Sequence, residues 1–110
     1  MPEADPIAIV TPGAIALDEA VRGALAFGHA RIVVDLCEAG APDAGLLRAL
    51  VLATRMAHAH GGRLVVLCPA GPARTTLRAT GLDGHLTVAG TRAHAIRASG
   101  NVSVSPVMGT

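Results

Sequence analysis

The sequence is almost without aromatic residues: Phe27 is the single one, and Trp and Tyr are absent. A nucleic-acid surface of the stacking kind needs several rings, and a carbohydrate platform needs them too. Charge of one sign is also lacking. Nine basic and eight acidic residues leave a formal charge of +1, so no basic stripe offers a phosphate-backbone footprint. No apolar run approaches the ~20 residues of a membrane span. The start, Met-Pro-Glu-Ala-Asp-Pro, lacks the basic and apolar regions of a signal peptide. The expectation is a cytoplasmic protein with no direct nucleic-acid partner and no membrane span. Cysteine is scarce as well. Cys37 and Cys68 close two similar segments, Ile-Val-Val-Asp-Leu-Cys and Leu-Val-Val-Leu-Cys. A reducing compartment keeps such pairs as thiols, and both are expected to be buried at strand ends.

Chemistry-bearing motifs are missing too. There is no Gly-x-x-x-x-Gly-Lys-Ser/Thr loop and no Gly-x-Gly-x-x-Gly after a strand. His58 and His60 stand two apart on a helical pattern and do not face each other. His29, His85 and His94 are scattered, so no zinc spacing appears and no metal is expected. Cys37 precedes Glu38, but adjacent strand-end side chains point apart, which leaves no nucleophile–base pair. Asp35 and Glu38 read as solvated loop charges. The loop Ala70-Gly71-Pro72-Ala73-Arg74 precedes a helix. Its backbone N–H groups at Gly71, helped by Arg74, form a possible anion site, although such turns are common as plain strand-to-helix links. Neither a cofactor nor an enzymatic activity is implied.

What is present is an alternation. Half of the 110 residues are hydrophobic, enough for one domain with one core. Residues 1–6 read as a frayed start. Residues 7–10 read as a short strand, continued after a bend by residues 13–17. Asp18 caps a first helix, which Gly28 stops. Residues 31–37 form a strand apolar on both faces, as central parallel strands are. Residues 43–60 form the strongest helix, with Asp43 as N-cap and Gly61-Gly62 as the stop. Residues 63–68 repeat the buried strand. Pro72 opens a third helix that Gly81 ends. Residues 87–89 are a weak last strand, and Thr91 caps a final helix to about Ala98. Residues 99–110 read as a loose tail. The β-α-β-α-β-α-β-α order with short links implies an α/β domain over residues 7–98, with a mostly parallel four-stranded sheet and crossover helices.

The long helix carries a second message. At 100° per residue Arg48, Leu52, Arg55 and Ala59 share one face, which holds the helix's two arginines and so faces solvent. Leu47, Leu50, Thr54 and Ala57 form the inward stripe. Taken alone, Leu52 on the outward face is the scattered exposed leucine that any surface carries.

The segment Val33-Val34-Asp35-Leu36 followed by Asp43 resembles the STAS family of anti-sigma factor antagonists. The stretch His58-Ala59-His60-Gly61-Gly62-Arg63-Leu64-Val65-Val66-Leu67 is similar to that family's second helix and following strand. Pro72-Ala73-Arg74-Thr75-Thr76-Leu77-Arg78-Ala79-Thr80-Gly81-Leu82-Asp83 is similar to its third helix, and Gly13 matches the glycine that commonly ends the early strand. The likeness runs over residues 7–98 and rests on order and spacing together.

The resemblance implies a non-enzymatic regulator that binds a serine-kinase anti-sigma factor. In the family the residues after the matching Asp read Ser-Ser-Gly or Ser-Gly, and the first serine accepts phosphate. Here that position is Ala44, followed by Gly45, and no Ser or Thr occurs between Arg31 and Ala53. The switch is missing. The resemblance also makes Glu38, Gly40, Pro42, Asp43, Ala44, Gly45, Arg48, Leu52 and Arg55 the leading interface candidates. The family usually begins with an antiparallel strand pair. With six residues before Ile7, the first strand is expected to be absent or rudimentary, leaving an edge open to a homodimer through the N-terminal strand. Two other readings of the same fold stay open: a ligand- or nucleotide-sensing domain using Gly71 and Arg74, and a STAS subunit of a larger assembly such as a lipid transporter.

Overall fold

The computed structural model describes residues 7–12, 16–38 and 40–100. The expectations for residues 1–6, for Gly13 and for residues 101–110 lie outside them. The element order is β1 (Ile7–Val10), α1 (Leu17–Ala26), β2 (Arg31–Asp35), α2 (Ala44–Ala59), β3 (Arg63–Leu67), α3 (Pro72–Ala79), a 3-10 turn (Leu82–Gly84), β4 (Thr87–Ala89) and α4 (Arg92–Ser99). The four strands form one parallel sheet in the order β1-β2-β3-β4. Ile9 pairs in register with Val33, and Val33 with Val65. Val65 pairs in turn with Thr87. The α/β class, the parallel sheet and the crossover helices are as the alternation implies.

The unbroken apolar runs of β2 and β3 follow from burial on both faces. Ile32, Val34, Leu64 and Val66 point to one face, where Val21 of α1, Leu50, Ala53 and Ala57 of α2, and Leu77 of α3 cover them. Val33, Val65 and Leu67 point to the other, where Ala95 of α4 meets them together with Ala89. Three helices therefore lie on one side of the sheet and one on the other. α4 packs on β2, β3 and β4. Ile9 of the edge strand β1 is 48% exposed.

Local signals account for the helix starts, with one exception. Asp43 and Thr91 cap α2 and α4 through their side chains, accepting from Leu46 N (2.8 Å) and His94 N (3.2 Å). Pro72 takes the first position of α3. Asp18, expected as the cap of α1, sits inside the first turn; the N-cap is Ala16. Leu17, expected to end a continuation of the first strand, is buried and opens the helix instead, two residues earlier than a cap at Asp18 would allow. Asp18 then favours the helix N-terminus by its charge and pairs with Arg22 at 3.7 Å. α4 runs to Ser99, whose hydroxyl donates to the Ile96 carbonyl at 2.7 Å.

Candidate functional site

The candidate surface starts where β2 ends. Asp35 is the last residue of that strand, and Cys37 and Glu38 form an exposed turn. The Cys37 N–H donates to Asp35 Oδ1 at 2.9 Å, bending the chain back on itself. Gly40 and Ala41 are exposed, whereas Pro42 is buried, so it shapes the loop from below rather than offering surface. Asp43 then stops the loop. Its Oδ1 holds Leu46 N, and its carbonyl accepts from Leu47 N at 3.0 Å. Ala44 and Gly45, the first two residues of α2, are exposed.

From there one strip of α2 faces outward. Ala44, Arg48, Leu52 and Arg55 fall within about 80° of each other on a helical wheel and span about 16 Å along the axis. All four are exposed, and Leu52 is 48% accessible. Leu50, Ala53, Thr54 and Ala57 are the buried residues behind them. Arg48 and Arg55 make no ion pair among the described residues. Of the interface candidates, Ala44, Arg48, Leu52 and Arg55 share this strip, with exposed Asp43 and Gly45 at its start, whereas Glu38 and Gly40 are exposed in the preceding loop and Pro42 is buried. Gly71 and Arg74 lie elsewhere, at the start of α3. Arg74 Nη1 donates to the Cys68 carbonyl at 2.8 Å, so the guanidinium ties α3 to the end of β3.

Sequence reasoning missed a cluster beside the loop. Asp35 Oδ2 meets Arg92 Nη2 at 3.3 Å, an ion pair joining residues 57 apart. With Thr11, Pro12, Cys37 and Glu38 they line a crevice of about 420 Å³ outside the carboxyl ends of β1 and β2. The sole local hint was Arg92 directly after the Thr91 cap. The Cys37 thiol, which donates to the Asp35 carboxylate, is the largest influence holding that carboxyl below its usual pKa; the Cys37 N–H and Arg92 add to it. The same hydrogen bond pushes the Cys37 thiol up. Cys37 is exposed, against the expectation of two buried thiols. The strand stops at Asp35 and the turn carries Cys37 out. Cys68 is buried, and burial pushes its thiol up as well, partly offset by Arg74. Among the described residues no group of three or more His, Cys, Asp or Glu is placed to hold a metal ion, and no helix is long and apolar enough to cross a membrane.

A family model described as "Mlab, STAS domain" matches residues 9–89. Among solved structures the fold is similar to that titled "NMR Structure of the protein TM1081", with a TM-score of 0.70 and 18% sequence identity. The alignment covers 87% of this chain and 83% of that one, and at that identity the likeness concerns the fold alone. No curated protein sequence matches the chain significantly.

Proposed function

The chain belongs to the STAS domain family, and on that premise we propose that it is a non-enzymatic cytoplasmic regulator that binds a serine-kinase type anti-sigma factor without being phosphorylated. The observation that carries this reading is the continuous outward strip of α2, which begins at the capped helix start and holds an exposed leucine between two unpaired arginines.

A phosphate on the first residue of α2 adds nearly two negative charges beside Asp43. In a desolvated contact that charge is expensive next to a carboxylate, and the complex opens. A methyl group at Ala44 accepts no phosphate, so the surface stays in its uncharged, binding state. Leu52 supplies apolar area, and Arg48 and Arg55 supply charge for a partner carboxylate.

The test is calorimetric titration with kinase-type anti-sigma factors. Leu52→Asp and Asp43→Lys are expected to weaken binding at least tenfold. Ala44→Ser is expected to bind and then to be released once ATP allows phosphorylation. Equal binding by wild type, Leu52→Asp and Asp43→Lys, or no binding to any such factor, removes the proposal. Among the described residues no strand pairs with the outer edge of β1, and Ile9 is exposed, which supports a homodimer through that strand; sedimentation showing a monomer at high concentration counts against it.

A second reading is a permanent subunit of a larger assembly. It is favoured by Phe27, 85% exposed at the C-terminal end of α1. Large aromatics left in solvent are commonly covered in obligate complexes. Stable co-purification of a stoichiometric partner that is lost in Phe27→Ser supports this reading over the first.

A further inference from the structure

The charges divide sharply along the chain. Residues 1–43 hold seven carboxylates and two arginines; residues 44–110 hold seven arginines and one carboxylate, Asp83. The near-zero net charge conceals a molecule with an acidic first half and a basic second half. A groove of about 320 Å³ lies wholly within the basic half, between α2 and the 3-10 turn. One wall is Val51, Thr54, Arg55 and His58, a single stripe of α2 at i, i+3, i+4 and i+7; the other is Leu82, His85 and Leu86.

The floor is apolar. Leu86 is buried, Leu82 and Val51 are half-buried, and all three pack on the main core. Thr54 offers no free donor, because its hydroxyl already donates to the Leu50 carbonyl at 2.8 Å. The rim is different. Arg55, His58 and His85 are exposed, and none makes a side-chain hydrogen bond or ion pair among the described residues. Among the described residues no carboxylate lines the groove, and Asp83, though on the same turn, is not part of it.

We propose that this groove is a docking site for an acidic amphipathic helix of a partner protein, with apolar side chains on the Val51–Leu82–Leu86 floor and carboxylates on Arg55, His58 and His85. From Val51 to His58 the groove runs about 10 Å, two helical turns, which matches an i, i+3, i+4 set of anchors. An apolar floor without aromatic rings offers a nucleic acid nothing to stack on. The site shares Arg55 with the α2 strip proposed above but differs from it in its apolar floor and in its second wall, which belongs to the 3-10 turn.

The experiment is an amide chemical-shift titration of the full isotope-labelled chain. The probe is a synthetic helix of 14 residues carrying Leu at i, i+3, i+4 and i+7 with Glu alongside. A second peptide carries Gln in place of every Glu, and a short duplex DNA forms a third arm. The Glu peptide is expected to shift amides of residues 51–58 and 82–86, and to bind about fivefold or more tightly than the Gln peptide. His85→Glu and Arg55→Glu, both at exposed positions, are each expected to weaken it by a similar factor, while Leu52→Asp leaves it unchanged. Circular dichroism confirms that each variant is folded. Equal affinity for both peptides, shifts centred elsewhere, no response to His85→Glu, or an equal response to DNA overturns the proposal. Failure of the anti-sigma contact alone removes the Leu52 strip and leaves the groove standing.

Discussion

Replacing Gly62 with alanine tests whether close packing between two loops, rather than backbone conformation, holds the lower end of the sheet together. A Cβ at Gly62 would lie 2.5 Å from the Ala30 carbonyl oxygen and 3.2 Å from the Ala30 carbonyl carbon and Cα. The obstacle is backbone, so no rotamer change relieves it. It is also held in place. Arg63 N–H donates to that same Ala30 oxygen at 2.8 Å, and Gly62 N–H donates to Ala57 O at 2.8 Å. The loops must part by about 0.7–1 Å to restore van der Waals distance. Overpacking of this kind costs about 1–3 kcal/mol, and weakening the Arg63–Ala30 hydrogen bond adds about 0.5–1.5 kcal/mol. The expected loss is about 2–4 kcal/mol. With a urea m-value of about 2 kcal/mol/M, the unfolding midpoint falls by about 1–2 M.

Gly61 is the matched control. It has φ +77° and nothing within 4 Å of its Cβ position. Gly61→Ala therefore meets only the left-handed backbone penalty of about 1–2 kcal/mol. Gly84→Ala, with open space and no positive φ, is expected to be near neutral. The expected order of damage in urea titration is Gly62, then Gly61, then Gly84. A Gly62→Ala midpoint within experimental error of wild type, or above that of Gly61→Ala, refutes the reasoning.

Four further outcomes are expected. Asp43→Ala removes the α2 cap and costs about 1 kcal/mol by urea denaturation, whereas Asp43→Asn keeps the acceptor and stays close to wild type. Leu77→Ala opens a cavity under α3, where the side chain is fully buried, and costs about 2–5 kcal/mol; a loss below 1 kcal/mol contradicts that packing. Asp35 titrates below its unfolded value in the fold, so its stabilisation is present above about pH 4 and is lost as pH falls through the lowered value. Asp35→Asn should accordingly flatten the dependence of the urea midpoint on pH in that acid range. Cys37, although exposed, should alkylate slowly at pH 8 because Asp35 disfavours its thiolate, and Asp35→Asn should speed the reaction.

The element order was readable because its signals are local. Asp43, Thr91 and Pro72 mark helix starts through hydrogen bonds or φ preferences reaching only a few residues. The apolar runs of β2 and β3 announce strands buried on both sides. The outward strip of α2 follows from its own period and its two arginines. Leu17 shows the limit of this: a buried side chain moved a helix start away from the residue best suited to cap it.

Chain order and periodicity alone were enough to specify a parallel α/β domain and the direction in which α2 faces. Only the tertiary structure decided which atoms from distant segments meet. Arg92 reaches Asp35 from 57 residues along the chain, Arg74 spends a donor on Cys68 O, Pro42 turns inward while Cys37 turns out, and the 3-10 turn closes a groove against α2. No spacing rule encodes these pairings. They arise where crossover connections end and helices settle on the two faces of the sheet, and that settlement minimises exposed apolar area over the whole chain at once.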